Sequence, residues 1–357
     1  MQEHSVVRTV IGLDQGDRYS HLCVLDSGGH VVERERIPTT EAGYRKYFES
    51  RRGRKRTLVV LEVGSQSPWS SRLLAELGYE VVVANARRVR LIAEADRKSD
   101  RGDAETLARL GRADPQLLAP IRHGGAAFQR DRSLLTVRQG LVRCRVRLIL
   151  QARGLTKAQG QRLPSASPPA FAKKVRASGQ AEAWPGLSSL LIALDTLNVQ
   201  IAALDEEIER ACRERYPQTA LLRQVSGVGA ITALAYVLKV EDPSRFAKSR
   251  DVGPFVSLVP RKRQSGDLEP QLGIPRRGDD LVRCLLVQSA HYILGPFGPD
   301  TELRRFGLRM LERGGRRARK RAIVAVARKL AVLLHRLWVT GEVYQPLGYG
   351  RSEAHAA

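Results

Sequence analysis

Four carboxylates are the residues of this sequence best placed to do chemistry: Asp14, Glu62, Asp100 and Asp103. Asp14 closes an apolar run at residues 5–13, SVVRTVIGL, and Glu62 closes another at residues 57–62, TLVVLE. Asp100 and Asp103 stand three apart in the stretch KSDRGDA at residues 98–104, a spacing that puts both on one face of a helix. Four carboxylates gathered at one point repel each other unless a cation joins them. Mg2+ or Mn2+ is hard enough to prefer such oxygen ligands. Two such ions activate an attacking oxygen and stabilise a leaving oxygen at a phosphodiester. Asp14-Gln15-Gly16 alone would carry little, because sugar-kinase and actin-like folds open the same way. The combination of IGLD, LE and KSDRGDA is far more specific.

A second group of residues lies toward the C-terminus. The run LRQVSGVG at residues 222–229, followed by the small-residue stretch from Ala230 to Leu238, reads as a helix-hairpin-helix. Gly227 and Gly229 would let the turn approach a phosphate, and the following helix would offer it amide donors. Further on, Arg261, Lys262 and Arg263 precede Ser265-Gly266, which makes Ser265 a phosphate-facing nucleophile in waiting. No His or Asp follows at the spacing of a hydrolase triad. Arg276, Arg277 and Arg283 could hold scissile or flanking phosphates.

The elements that must position these groups follow from periodicity. Residues 5–13, 19–25 and 30–37 read as three strands, with Ser27-Gly28-Gly29 as the turn between the second and third. A helix is expected from Glu41 to about Arg51 and a fully buried strand at 57–62. A helix at 68–77, a strand at 79–83 and a helix at about 99–111 complete the order βββαβαβα, that of a ribonuclease-H-like α/β fold. In such a sheet the first and fourth strands are neighbours, so Asp14 and Glu62 reach one point.

The middle of the chain changes character. Leu134, Val137, Leu141, Cys144 and Leu148 repeat at intervals of 3 and 4, as do Leu190, Leu194, Leu197, Ile201, Leu204, Ile208 and Ala211. Two heptad helices around a Pro- and Ser-containing connector at 163–169 predict an antiparallel coiled-coil hairpin, serving as a dimer contact, a nucleic-acid arm or both. From Pro217 a compact, mixed but mostly helical region follows, ending in a long basic helix at about 316–339. The expected domains are therefore 1–120, 121–216 and 217–345, with a tail at 346–357.

Composition narrows the partner. Sixty Lys and Arg against 37 Asp and Glu give a net charge of +23, which calls for a polyanion, nucleic acid first. Ten of the cations and a single acid, Asp131, fall within residues 122–162, where a merely solvated face would mix the signs. The basic run at 51–56 is a second candidate for backbone contacts. Cys23, Cys144, Cys212 and Cys284 form no CxxC pair, so neither a disulfide framework nor a zinc site is readable. No run reaches the roughly 18 apolar residues of a membrane span. The N-terminus lacks the layout of a signal peptide. The expectation is a soluble, cytoplasmic, nucleoid-associated protein.

With these residues in view, the chain resembles the IS110 family of insertion-sequence transposases over nearly its whole length. The family's Asp, Glu, Asp, Asp set in a RuvC-like domain maps onto Asp14, Glu62, Asp100 and Asp103. Its Gly-x-Gly hairpin maps onto Gly227 and Gly229. Its GLxP-then-SG stretch maps onto Leu258, Pro260, Ser265 and Gly266, which gives Ser265 the role of nucleophile. The chain departs from the family at Ser257, where Gly is common, at Val63-Gly64 and at Gly278-Asp279. The resemblance implies strand transfer through a phosphoserine link, assisted by Mg2+ or Mn2+. It also implies a homodimer or homotetramer whose carboxylate and serine sites meet across protomers, and a structured guide RNA that pairs with target and donor DNA. Two other readings fit the residues. One is a RuvC-like junction nuclease, which would need the carboxylates but not Ser265. The other is a non-catalytic nucleic-acid-binding protein.

Overall fold

The computed structural model describes residues 9–51, 56–85, 100–184, 186–261, 272–275, 280–315 and 317–348. The chain divides into two compact units, Met1–Ala126 and Ala127–Ala357.

The first unit is built on a five-stranded mixed sheet. Its strands are β1 (Thr9–Gln15), β2 (Tyr19–Leu25), β3 (Val31–Pro38), β4 (Thr57–Glu62) and β5 (Glu80–Ala84), in the order β3-β2-β1-β4-β5. The first three strands are antiparallel, and β4 and β5 run parallel to β1. This is the ribonuclease-H-like order that the βββαβαβα pattern predicts. Side-chain alternation sorts the strands' apolar residues onto two faces. Ile11, Leu13, Leu22, Val24, Val59 and Leu61 pack with Tyr44 and Phe48 of α1 (Glu41–Glu49) and with Leu73 and Leu74 of α2 (Ser67–Glu76). Val10, Cys23, Leu58 and Val60 pack on Ala104, Leu107 and Ala108 of α3 (Asp100–Ala113). Local chemistry sets the helix starts. The Thr40 hydroxyl accepts from the Gly43 amide at 3.1 Å and caps α1, and Pro68 opens α2 where its missing N–H costs nothing.

The second unit is helical among its described residues. A 32-residue helix, α4 (Ala126–Lys157), leads through a short α5 (Phe171–Ala177) into the 28-residue α6 (Leu187–Glu214). Cross-helix pairs fix their sense. Asp131 bonds Arg215 and Tyr216, Arg138 bonds Asp205, and Arg145 bonds Asn198 at 3.0 Å, so α4 and α6 run antiparallel. The buried stripe of α4 carries Asp131, Leu135, Ile149, Ala152 and Thr156. The heptad expected from the sequence lies one residue away: Val137 is 51% exposed and Cys144 is exposed. Polar partners on α6 and just past its end explain the shift, because they draw Asp131, Arg138 and Arg145 inward. On α6, Leu194, Ile201, Ile208 and Ala211 of the expected seam are buried, and Leu190, Leu197 and Leu204 are half-buried.

Helix α6 is long and apolar enough, by length and composition alone, to cross a membrane. Its Leu187, Leu191, Leu194, Ile201 and Ile208 are buried, its Ile192 and Val199 are exposed, and its Asp195 and Asp205 pair with Arg176 and Arg138. The rest of the unit has one core around α8 (Ala230–Val240), which follows the single-turn α7 (Thr219–Leu222). After α9 (Val252–Phe255), three helices close that core: α10 (Asp280–Ile293), α11 (Glu302–Glu312) and α12 (Ala318–Thr340).

Candidate active site and nucleic-acid interface

Strand register brings the first pair of carboxylates together. Leu13 and Leu61 are Cα partners across the parallel β1–β4 pair, so Asp14 and Glu62 come next, side by side, at the carboxyl ends of their strands. On the other side of β1, Asp14 is the Cα partner of His21, and His21 is that of Arg36. Glu62, Asp14, His21 and Arg36 thus form one row across four strands. Alternation from Val60, Gly12 and Cys23 aims Glu62, Asp14 and His21 at the face that α3 covers.

Helix α3 supplies the second pair from its first turn, where the N-terminal end of a helix favours negative charge. Its docking depends on Gly12. A Cβ at that position would lie 1.9 Å from the Ala104 carbonyl oxygen and 2.5 Å from the Ala108 amide nitrogen. Only a residue without a side chain lets helix backbone and strand come so close. A further tie runs from β3, where Arg34 donates to Glu105 at 2.6 Å, and Arg109 donates to the same carboxylate. The two guanidiniums hold the Glu105 carboxyl below its usual range. Asp103 is half-buried, whereas the Asp100 side chain is 74% exposed and lies 3.8 Å from the His21 imidazole (Oδ2 to Nε2).

Behind the site, a buried hydrogen-bond network stiffens the end of β1. Gln15 donates to the Tyr44 hydroxyl at 2.7 Å and to Ser70 at 2.9 Å, and the Tyr44 hydroxyl also meets Ser20 at 2.8 Å. Burial pushes the Tyr44 phenol up, the Ser20 and Gln15 bonds oppose that, and the charge of Asp14 adds to the rise. The turn after Glu62 is held by buried Ser67, whose hydroxyl binds both backbone groups of Gly64 and the His123 imidazole at 2.8 Å. Among the described residues, no three His, Cys, Asp or Glu side chains close into a ready-made cation cluster. The donor chemistry does fit one: carboxylates from two adjacent strand ends face the first turn of an acidic helix.

In the second unit Gly227 and Gly229 lie between α7 and α8. Gly227 has φ +89°, and a Cβ on it would fall 2.9 Å from the Tyr292 ring and 3.3 Å from the Ser289 carbonyl of α10. Its freedom therefore serves the packing of the turn on α10. Gly229 is exposed at the start of α8, with open space where a side chain would stand. Arg261 is exposed, and its amide donates to the Gly273 carbonyl at 3.2 Å. Lys262, Arg263, Ser265, Arg276 and Arg277 lie outside the described residues. Arg283 is buried and paired with Asp280, which neutralises its charge within the fold.

A family model described as a transposase, the DEDD type of IS110 elements, matches residues 11–158 and so takes in all four carboxylates. A second, described as the transposase IS116/IS110/IS902 family, matches residues 219–301, from α7 to the threshold of α11. The transposase for insertion sequence element IS1111A of Coxiella burnetii is 28% identical over 344 residues, covering 94% of this chain and 91% of that protein. A probable family 20 transposase of Pseudomonas aeruginosa is 29% identical, covering 94% of this chain and 98% of its own. The IS1328 transposase of Yersinia enterocolitica is 28% identical over 79% of this chain and 83% of its own. The chain belongs to the IS110 family of insertion-sequence transposases. It is a DNA transposase, and its DEDD match takes in the five-stranded sheet and runs on through α4.

Around the strand ends of this IS110 transposase stand further polar residues. His21, Glu105, Ser67 and His123 carry no motif of their own. Only the cross-strand register of His21 with Asp14, and the i, i+4 pairing of Glu105 with Arg109, were readable signals. The basic run at 51–56 is described at its two ends. Arg51 is bound to Glu33 and Tyr47. Along α4, Arg143 and Arg147 are exposed and make no ion pair among the described residues, in contrast to Arg138.

Proposed function

We propose that this transposase cuts and rejoins the DNA of its insertion sequence through a phosphoserine link at Ser265, with Asp14, Glu62, Asp100 and Asp103 holding Mg2+ or Mn2+. In the first step the Ser265 Oγ attacks the phosphorus of a phosphodiester. The bond to the 3′ oxygen breaks, the serine proton goes to a base or water, and a 3′ hydroxyl is released. In the second step a 3′ hydroxyl of the exchanging strand attacks the phosphoserine and frees the serine. One phosphodiester is consumed and one is made, so no ATP is needed. When bound, the divalent ion supplies Lewis-acid activation of the attacking or leaving oxygen.

The observation that carries this reading is the placing of Asp14 and Glu62 beside each other at the strand ends, under a helix whose first turn is Asp100 and Asp103. Gly229, at the open start of α8, and exposed Arg261 are assigned to the DNA backbone, with Lys262, Arg263, Arg276 and Arg277 beside them in sequence. The buried Arg283 supports the fold around them. The exposed cations of α4 are assigned to a structured guide RNA, and the α4–α6 pair to a coiled-coil arm of a homodimer or homotetramer. The protein works in the cytoplasm, on the nucleoid.

The test uses full-length protein with its transcript and duplex DNA spanning an element end. Wild type should leave a covalent protein–DNA adduct on a denaturing gel, and Ser265→Ala should leave none. Undiminished cleavage by Ser265→Ala without an adduct in wild type would mean a hydrolytic junction nuclease. Unchanged strand transfer by Asp14→Ala would mean that the carboxylates have no catalytic part.

A further inference from the structure

His21 stands where the sheet meets the first turn of α3. It is the Cα partner of Asp14 and lies on the face that α3 covers, two residues before Cys23, which is buried against that helix. Its side chain is only 20% exposed. Neither ring nitrogen has a hydrogen-bond partner among the described residues, and the nearest acid is Asp100, 3.8 Å from Nε2. That separation is too long for a hydrogen bond. It is within the span of two donors on one ion, which is at most about 4.2 Å, twice a metal–ligand distance of about 2.1 Å. Asp100, highly exposed, makes no hydrogen bond among the described residues either. A mostly buried imidazole and an exposed carboxylate thus face each other across a gap of ligating size, beside the strand end that carries Asp14.

We propose that His21 is a nitrogen ligand of the divalent ion, completing the carboxylate site from the neighbouring strand. The inference rests on the carboxylate-site reading above. Its consequence is a change in metal preference. Mn2+, the first of the first-row series, accepts an imidazole nitrogen beside its oxygen ligands, whereas Mg2+ keeps to oxygen and water. A mixed nitrogen and oxygen shell favours Mn2+ over Mg2+ more than four carboxylates alone would.

The experiment uses purified full-length protein with Mn2+ as the probe. Pulsed EPR of the bound ion should show 14N modulation from a directly coordinated imidazole. His21→Gln should remove that modulation and lower Mn2+ affinity roughly tenfold or more, with a smaller change for Mg2+ measured by competition. His21→Asp should recover affinity with an oxygen ligand and show no nitrogen signal. If Mn2+ binding depends on Asp14, as tested by Asp14→Asn, but shows no 14N modulation, the role of His21 is overturned and the carboxylate site stands. If Mn2+ binding is indifferent to Asp14→Asn, the carboxylate site falls, and the role of His21 with it.

Discussion

The α-carbon of Gly12 rests on the backbone of Ala104, so closely that a Cβ would sit 1.9 Å from the Ala104 carbonyl oxygen. This approach sets how near the first turn of α3 comes to the end of β1. Gly12→Ala has no flexible neighbour to displace, because what it meets is helix backbone. The variant should lose about 3 kcal/mol, the upper end of overpacking costs, and the helix should lift away from Asp14. Thermal unfolding should show a clear drop in Tm. Strand transfer should fall even well below the new Tm, because the two pairs of carboxylates would separate.

The cations of α4 divide into two kinds. Arg138 is largely buried and gives two hydrogen bonds to Asp205, while Arg143 and Arg147 face solvent. Arg138→Ala should cost up to about 1 kcal/mol of stability, because Asp205 is part-exposed and water replaces its lost partner. Arg143→Ala with Arg147→Ala should shift stability by no more than about 0.5 kcal/mol. That pair should instead weaken nucleic-acid binding. On the structured RNA assigned to these cations it should make log K fall less steeply with log salt, in proportion to the phosphates that the protein no longer neutralises. A salt titration of binding to each variant, set beside its unfolding curve, separates the two roles.

Ser257 has φ +58° and is almost fully buried, next to buried Leu258 at the start of the Leu-Val-Pro stretch. A residue with a Cβ pays about 1 kcal/mol in this left-handed region, and glycine does not. Ser257→Gly should therefore be neutral to stabilising, by up to about 1 kcal/mol. Chemical denaturation checks it, and a loss of stability would show that the serine side chain makes up for the strained backbone.

Glu33 of β3 accepts from Arg51 and from the Tyr47 hydroxyl, and these bonds, led by Arg51, hold its carboxyl below the ordinary value of 4.5. A carboxyl lowered on folding stabilises the fold above its unfolded value. The contribution fades as pH falls from about 4.5 through the lower folded value. Urea unfolding at pH 6 should separate wild type from Glu33→Gln, and the gap should narrow as the pH is taken below 4.5. A gap that stays constant across that range would mean that the Arg51 pair does not contribute through charge.

The sequence alone determined the order of elements and the ends of the strands that matter. Strands β2 and β4 run over the residues that alternation and continuous burial predict, and Asp14 and Glu62 fall at strand ends. These features are local: a pleated strand shows its period within six residues, and a helix shows Asp100 and Asp103 on one face within a turn. What only the tertiary structure decided involves partners far away in the chain. Gly12 is indispensable because of Ala104 and Ala108, some ninety residues on, and His21 matters because sheet register sets it beside Asp14. On α4 the apolar spacing in sequence points to a seam of Leu134, Val137, Leu141, Cys144 and Leu148. The fold buries the register one residue on, where Asp205 accepts from Arg138, Asp131 accepts from Arg215 and Tyr216, and Asn198 takes one bond from Arg145. A buried polar side chain is tolerable only when its partner is in place, and the partner is visible only once the chain has folded.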